Sequence, residues 1–157
     1  MYTYGQQYLD EDDINVVESV LRSRTLTQGP VVESFEAELS KKLGAAHTCV
    51  TSNGSSALHL IGRALGWKAD DVILTSPITF LASANCILYC GASLDLADID
   101  PRTYTIDPNQ VEDRIKFHRK LSHTVRAVIG VDFAGHPAAW EDLRFIADRY
   151  ELKLVND

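Results

Sequence analysis

The sequence predicts an α/β domain whose mostly parallel sheet is covered by helices on both faces. Short apolar runs bounded by turn residues alternate with stretches in which apolar residues recur every three or four positions. These are the patterns of buried strands and of amphipathic helices. Because each strand is followed by a helix, right-handed crossovers make successive strands parallel. The chain has 157 residues, which is enough for one such domain with a sizeable core.

Two helices are predicted before the sheet begins. Residues 10–13 supply an N-cap and an acidic first turn, and apolar residues follow at helical spacing as far as Leu21. Residues 25–30 end this helix, and Pro30 suits the first turn of a second helix that Gly44 closes. The sequence therefore predicts an N-terminal helical arm over residues 1–44 and a partial α/β domain over residues 45–157.

Strands and helices alternate through the rest of the chain. Strands are predicted at residues 47–52, 72–75, 93–97, 125–133 and 152–156. Helices are predicted at residues 55–65, 108–119 and 138–150, with one more that ends near residue 89. The sequence stops directly after a strand, before any helix that would cover it, and so we expect a truncated domain.

Composition narrows the classes of partner. The chain has 15 Lys and Arg residues against 22 Asp and Glu residues, a net charge of −7, and a pI of about 5.1. Because phosphate backbones repel such a surface, we expect no nucleic-acid partner. The first residues lack the pattern of a signal peptide, and no apolar stretch is long enough to cross a bilayer. We therefore expect no membrane association.

The cysteines indicate a reduced compartment. Cys49, Cys86 and Cys90 are an odd number and lie within apolar patterns, which is typical of small core residues. Cys86 and Cys90 stand one helical turn apart, a spacing that suits a metal, but no His or carboxylate completes a recognisable ligand set. We expect a cytoplasmic protein without a metal site.

Polar segments follow the predicted strands at their carboxyl ends. These segments are residues 53–56, 76–80, 133–137 and Asp157. Open parallel sheets bind their ligands beyond the carboxyl ends of the strands. The segments are distant in sequence but should converge in space, and so the sequence predicts one site at this edge.

The first of these segments, NGSS at residues 53–56, follows a predicted strand and begins a helix. Gly54 permits a tight turn, while backbone N–H groups and the hydroxyls of Ser55 and Ser56 face the helix N-terminus. Such an arrangement suits a phosphate group. The same residue types are ordinary in a capped turn, so the segment alone leaves both interpretations open.

Three further side chains at this edge have a functional and a structural interpretation. Phe80 could stack on a flat cofactor ring or belong to the core. His136, in a turn that Gly135 opens, could contact a substrate or lie incidentally on the surface. Asp157 ends an apolar strand, where a carboxylate needs a partner. That partner could be a protonated ring nitrogen or the N-terminus of a following helix.

The order of short motifs along the chain is more specific than any one of them. They are YGQQ at 4–7, LTQGP at 26–30, NGSSALH at 53–59, TSPITF at 75–80, DIDP at 98–101, DFAGHP at 132–137 and LVND at 154–157. This ordered set spans essentially the whole chain and resembles the DegT/DnrJ/EryC1/StrS family of sugar aminotransferases. A Rossmann-like nucleotide binder is disfavoured, because the loop after the first strand is not Gly-x-Gly-x-x-Gly.

The resemblance implies a fold-type I enzyme that depends on pyridoxal 5'-phosphate (PLP). Its large domain has a three-layer α/β/α architecture, and such enzymes are homodimers with active sites at the subunit interface. Matching positions imply that Gly54, Ser55 and Ser56 hold the PLP phosphate. They also imply that Phe80 stacks on the pyridine ring and that Asp157 pairs with the ring nitrogen.

The resemblance also implies a substrate and a reaction. Thr27 and Gly29 match a segment near the sugar-nucleotide site, and His136 is a further candidate for substrate contact. The motifs are most similar to the branch that aminates C4 of UDP-4-keto-6-deoxy-N-acetyl sugars on the pseudaminic acid pathway of polysaccharide biosynthesis. The amino donor of such enzymes is usually glutamate.

The resemblance places the lysine that bonds covalently to PLP downstream of Asp157. The six lysines of this chain match no such motif, so none of its residues is assigned a catalytic role, and we expect residues 1–157 alone to be inactive. Two alternatives to a sugar aminotransferase remain open. One is a truncated, non-catalytic paralogue that only binds or dimerises, and the other is a PLP-dependent sugar dehydratase with histidine in place of the lysine.

Overall fold

The computed structural model describes residue 5 and residues 7–157. Tyr4 and Gln6 of the YGQQ motif therefore lie outside the described residues. The chain divides into two compact units, Met1–Val50 and Thr51–Asp157. None of the described helices is long and apolar enough to cross a membrane.

The N-terminal unit contains the two predicted helices, α1 (Glu11–Leu21) and α2 (Pro30–Leu43). A capping box begins α1: the Asp10 carboxylate accepts the backbone N–H of Asp13, and the Asp13 carboxylate accepts that of Asp10. Pro30 occupies the first turn of α2, and Gly44 ends it with a φ of 64°. The sequence prediction for both helices is confirmed.

The strand predicted at residues 47–52 does not form. Among the described residues, no strand pairs with this segment. Its polar groups bond to the preceding helix instead: Thr48 donates its hydroxyl proton to the Glu36 carbonyl, and the Val50 amide donates to the Glu36 carboxylate at 2.8 Å. An apolar run becomes a strand only where a neighbouring strand accepts its backbone hydrogen bonds, and here side-chain and helix groups take that place.

The second unit is built on a four-stranded parallel sheet. Its strands are β1 (Asp71–Thr75), β2 (Ser93–Leu96), β3 (Thr124–Gly130) and β4 (Lys153–Asn156). They lie in the order β2-β1-β3-β4, and every neighbouring pair is parallel. The predicted α/β fold class with a mostly parallel sheet is confirmed.

Helices cover both faces of this sheet. They are α3 (Gly54–Ala64), α4 (Ala82–Tyr89), α5 (Pro108–Lys120) and α6 (Trp140–Tyr150). Successive residues of β1 point to opposite faces: Ile73 packs in the cluster that contains α3 and α4 residues, and Leu74 in the one that contains α5 and α6 residues. Both side chains are fully buried, which stabilises the fold by about 1.5–3 kcal/mol each. The result is the predicted three-layer α/β/α arrangement.

The long strand predicted at residues 125–133 ends earlier, at Gly130. Asp132 explains the difference, because its carboxylate accepts the backbone N–H of Ala138 at 2.9 Å and the indole N–H of Trp140 at 2.8 Å. These bonds turn the chain away from the sheet, and Phe133–Gly135 forms a single 3-10 turn. The apolar pattern of the sequence continues beyond Gly130, but the side-chain hydrogen bonds of Asp132 hold the residues after it in a turn.

A charged cluster joins the β2 edge of the sheet to α5. Asp95 of β2 accepts hydrogen bonds from Arg114, with a closest approach of 2.6 Å, and from Nε2 of His118 at 2.7 Å. Burial on its own would raise the pKa of Asp95. The hydrogen bonds from His118 and Arg114 outweigh it and hold the pKa below its ordinary value of 3.8.

We expect Asp95→Asn to lower the free energy of unfolding at pH 7 by about 1.5–3 kcal/mol, the usual contribution of hydrogen bonds to a charged group. Because the folded-state pKa is lowered, this stabilisation is present above the ordinary pKa of 3.8 and is lost as the pH falls through the folded-state value. Urea unfolding at pH 7 and at acid pH measures the difference. Asp113→Asn, on the exposed side of α5, is the control, and an equal effect of both variants would contradict the prediction.

Candidate active site

The carboxyl ends of the parallel strands define one edge of the sheet, which we call the carboxyl edge. Ser76 follows β1, Asp132 lies two residues beyond β3, and Asp157 follows β4. The segments that the sequence predicted to converge after β1, β3 and β4 do lie at this edge.

Asp157 is held at the carboxyl edge by its backbone. Its N–H donates to the Gly130 carbonyl at 2.9 Å, and its carbonyl accepts the N–H of Asp132 at 3.2 Å. These bonds continue the β3–β4 ladder by one residue. Side-chain oxygen Oδ2 accepts a hydrogen bond from the Ser83 hydroxyl, whereas no described residue bonds to Oδ1. Oδ2 is thus held by Ser83, and Oδ1 can accept a hydrogen bond from a ligand.

Ser83 lies in the first turn of α4 and is fully buried. Its hydroxyl is 2.6 Å from the Thr79 hydroxyl and 3.2 Å from the Phe80 carbonyl, in addition to its bond with Asp157. Sequence reasoning missed this residue. The signal that could have found it is a hydroxyl side chain in an otherwise apolar helix that begins at the carboxyl end of a strand.

Phe80 precedes α4 by two residues, and 77% of its surface is exposed. Its carbonyl accepts the backbone N–H of Ser83 at 3.2 Å, so the backbone that carries the ring is fixed to the residue that anchors Asp157. Among the described aromatic residues, none packs its ring against that of Phe80. An exposed phenyl ring beside a polar site is a suitable platform for a flat ligand.

The NGSS segment forms the N-terminus of α3. Asn53 is the N-cap, and its side-chain oxygen accepts the Ser56 N–H at 2.8 Å. In the described part of the chain, no acceptor lies at the N–H groups of Gly54 and Ser55, which point out of the helix as donors for an anion. A Cβ at Gly54 would meet no atom within 4 Å, so the space beside its Cα is open.

Packing between α3 and α4 shows which way this N-terminus faces. His59 and Tyr89 have ring centroids 5.6 Å apart, and a Cβ at Gly62 would come within 2.8 Å of the Cys90 sulfur. The carboxyl-terminal halves of the two helices are therefore neighbours, and the helices run in the same direction. Because α4 starts at the carboxyl edge, Gly54 lies toward that edge too.

The substrate candidates lie in two different units. His136 is exposed on the turn after β3, beside Gly135 with its φ of 80°. Thr27 and Gly29 belong to the N-terminal unit, where they lie in the turn before α2, and Gly29 is the N-cap with a φ of 91°. The roles that the motifs imply for these three residues stay predictions.

Beneath the Ser83–Asp157 pair lies a buried thiol. Cys86 donates to the Ser83 carbonyl at 3.2 Å. Burial raises its pKa to about 11, with smaller contributions from Cys90 and from the negative charge of Asp157. The thiol is therefore protonated at neutral pH and acts as a small core residue. In the described ranges, no three His, Cys, Asp or Glu side chains converge as metal ligands.

Comparison with known proteins agrees with this arrangement. The sequence profile of the DegT/DnrJ/EryC1/StrS aminotransferase family matches residues 7–157. A UDP-4-amino-4,6-dideoxy-N-acetyl-beta-L-altrosamine transaminase from Campylobacter jejuni is 36% identical over 157 residues, which are 100% of this chain and 40% of that protein. The chain thus spans about 40% of the length of the curated relatives it matches first.

Solved structures give the same result. PseC of Helicobacter pylori, an aminotransferase in the biosynthesis of pseudoaminic acid, superposes with a TM-score of 0.90 at 30% identity. The match covers 99% of this chain and 41% of PseC. NtdA of Bacillus subtilis, solved with its cofactor PMP bound, superposes with a TM-score of 0.85 at 31% identity, over 93% of this chain and 32% of NtdA. The fold and the family profile together show that this chain belongs to the DegT/DnrJ/EryC1/StrS aminotransferase family.

Proposed function

We propose that residues 45–157 are the front part of the PLP-binding domain of a nucleotide-sugar aminotransferase, preceded by a helical arm over residues 1–44. Its substrate is a nucleotide-linked 4-keto-6-deoxy sugar of the UDP-N-acetyl type, and glutamate is the amino donor. The protein acts as a homodimer in the cytoplasm. The family membership and the names of the Campylobacter and Helicobacter relatives support this proposal.

The residues at the carboxyl edge fit the three parts of PLP. The open N-terminus of α3 offers the N–H groups of Gly54 and Ser55, with the Ser55 and Ser56 hydroxyls, to a phosphate. Phe80 offers an exposed aromatic face to the pyridine ring. Asp157 offers its available oxygen to the ring nitrogen.

When bound, PLP supplies a ring that accepts electrons from the reacting carbon of the substrate. The task of Asp157 is to keep a proton on the ring nitrogen, because a nearby negative charge favours the protonated form. The α3 N-terminus and Phe80 orient the ring, and the partial positive charge of the helix end offsets the charge of the phosphate. Thr27, Gly29 and His136 would contact the sugar nucleotide.

The observation that carries the proposal is the placement of Asp157 and Phe80 at the carboxyl edge, joined through one buried serine. The direct test mixes the whole protein with PLP, glutamate and a UDP-4-keto-6-deoxy-N-acetyl sugar. We expect an aminosugar and 2-oxoglutarate to form in equal amounts. Loss of water from the sugar without transfer of nitrogen would instead identify a dehydratase, and absence of PLP binding would overturn the proposal altogether.

A side chain at Gly54 should block the phosphate without harming the fold. We expect Gly54→Val to weaken PLP binding about tenfold or more, since its branched side chain would displace the phosphate from N–H donors that contribute about 1.5–3 kcal/mol each. Stability should change by less than about 1 kcal/mol, because a Cβ there meets open space. Fluorescence titration with PLP measures affinity, and thermal unfolding measures stability.

Gly54→Ala is the graded control for this substitution. It adds one methyl group, and its effect on PLP affinity should fall between those of glycine and valine. Equal affinity of all three proteins would remove the α3 N-terminus from the phosphate site.

A further inference from the structure

Two hydroxyl groups and one carboxylate are joined by hydrogen bonds at the carboxyl edge. The Thr79 and Ser83 hydroxyl oxygens are 2.6 Å apart, and the Ser83 hydroxyl bonds to Oδ2 of Asp157. Ser83 is fully buried, whereas Asp157 is exposed. This row of hydrogen bonds therefore leads from Thr79, in the turn after β1, through the buried Ser83 to the Asp157 carboxylate at the end of β4.

The number of hydroxyl protons determines which group donates and which accepts in each of these hydrogen bonds. Ser83 has one hydroxyl proton, and three acceptors compete for it: the Asp157 carboxylate, the Thr79 hydroxyl oxygen and the Phe80 carbonyl. The carboxylate is the strongest of these acceptors and takes the proton. The Ser83 oxygen then accepts the proton of Thr79. A hydroxyl that both accepts and donates is polarised, which strengthens its bond to the carboxylate.

We propose that Ser83 is the positioning residue of Asp157. By holding Oδ2, it fixes the rotation of the carboxylate and leaves Oδ1 to face the pyridine nitrogen of PLP, while Thr79 orients the Ser83 hydroxyl. This inference rests on the proposed function, since it assigns a partner to the free oxygen. It adds a requirement that the motifs do not contain: Asp157 can pair with the ring nitrogen only when its other oxygen accepts the hydrogen bond from Ser83.

The same residue couples the two groups that contact the ring. The Ser83 backbone N–H donates to the Phe80 carbonyl at 3.2 Å, and the Ser83 side chain holds Asp157. The stacking face and the nitrogen partner come from segments 77 residues apart in the chain, yet one buried residue bonds to both. A substitution at Ser83 should therefore change the protonation of the PLP ring nitrogen more than it changes the stability of the fold.

Removal of this hydroxyl should be seen in the cofactor. In the whole protein, we expect Ser83→Ala to weaken PLP binding about tenfold, the usual effect of losing a hydrogen bond to a charged group. The ring nitrogen of bound, isotope-labelled PLP should lose its proton about one pH unit lower than in the wild type, as followed by its NMR chemical shift. Ser83→Thr keeps the hydroxyl. Its PLP affinity should lie within about threefold of the wild type, and its ring nitrogen should titrate near the wild-type pH.

Two controls separate positioning from packing. Thr79→Val replaces the hydroxyl that donates to Ser83 with a methyl group, and should shift both readouts in the same direction by a smaller amount, about threefold in affinity. Thr105→Val removes another buried hydroxyl, whose partner is Thr103 at 2.9 Å, and should leave PLP binding unchanged. In an Asp157→Ala background, Ser83→Ala should change affinity by less than about twofold, because its action passes through the missing carboxylate.

The outcomes distinguish this inference from the proposed function. A wild-type protein that binds no PLP would overturn the proposed function itself. A wild-type protein that binds PLP, together with a Ser83→Ala variant of unchanged affinity and unchanged nitrogen titration, would overturn only the role of Ser83. An equal effect of Ser83→Ala with and without Asp157 would do the same, since it would show that Ser83 acts by another route.

Discussion

Asp157→Asn in the whole protein is expected to lower the rate of amino transfer by about 10²–10³-fold, the size of effect seen when a group that stabilises developing charge is removed. The Ser83 hydroxyl donates to the side chain at position 157, and it would turn the amide so that its oxygen faces Ser83. The NH₂ group would then face the ring nitrogen. Because NH₂ can only donate, it would bond to the unprotonated nitrogen and favour the wrong form of the ring.

PLP should still bind to this variant through the phosphate site and the stacking ring, but about tenfold more weakly, as in Ser83→Ala, because the same hydrogen-bonded carboxylate is altered. The measurement is a single-turnover rate with glutamate, read beside PLP affinity and thermal stability. Asp95→Asn is the matched control: it makes the same chemical change in a carboxylate that bonds to Arg114 and His118 and should lower stability without lowering the rate. If Asp157→Asn kept the full rate, the role of Asp157 as partner of the ring nitrogen would be wrong.

Most of the fold could be predicted from the sequence because its signals are local. Helix caps such as Asp10 and Gly44, and the alternation of apolar runs with helical periodicity, each depend on a few neighbouring residues. The errors arose where distant or competing bonds decided the outcome. The run at residues 47–52 found no neighbouring strand, and the run after Gly130 was interrupted by the bonds of Asp132 to Ala138 and Trp140.

The candidate site shows the same division. Phe80 lies between β1 and α4, Asp157 follows β4, and Gly54 begins a helix that was predicted to follow a strand, and so the sequence pattern alone predicts their edge of the sheet. Ser83 could not be found in this way. Its partner Asp157 lies 74 residues further along the chain. A serine within a helix is common and does not by itself indicate a functional site. Only the three-dimensional structure brings that hydroxyl to the carboxylate.

The second prediction with a large effect concerns the lysine that, under the proposed function, bonds covalently to PLP. We expect borohydride reduction of the PLP-loaded whole protein to fix the pyridoxyl group on a residue outside residues 1–157. Within the unit Thr51–Asp157, Lys68 precedes β1 and Lys153 begins β4, which puts both at the amino edge of the sheet. Lys120 ends α5, ahead of β3, and Lys116 is paired with Glu112 at 2.9 Å. Peptide mass mapping after reduction identifies the modified residue.

A pyridoxyl group on any of the six lysines of this chain would contradict that expectation, and so would amino transfer by residues 1–157 alone. A lysine that bonds to PLP also moves a proton during amino transfer, and loss of such a general acid–base group typically costs about 10²–10⁴-fold in rate. Residues 1–157 carry the proposed phosphate site, the stacking ring and Asp157, which can orient PLP reversibly. They carry no amine at the carboxyl edge of the Thr51–Asp157 unit to move that proton, so PLP bound to this chain alone should be removed by dialysis and turnover should stay at background.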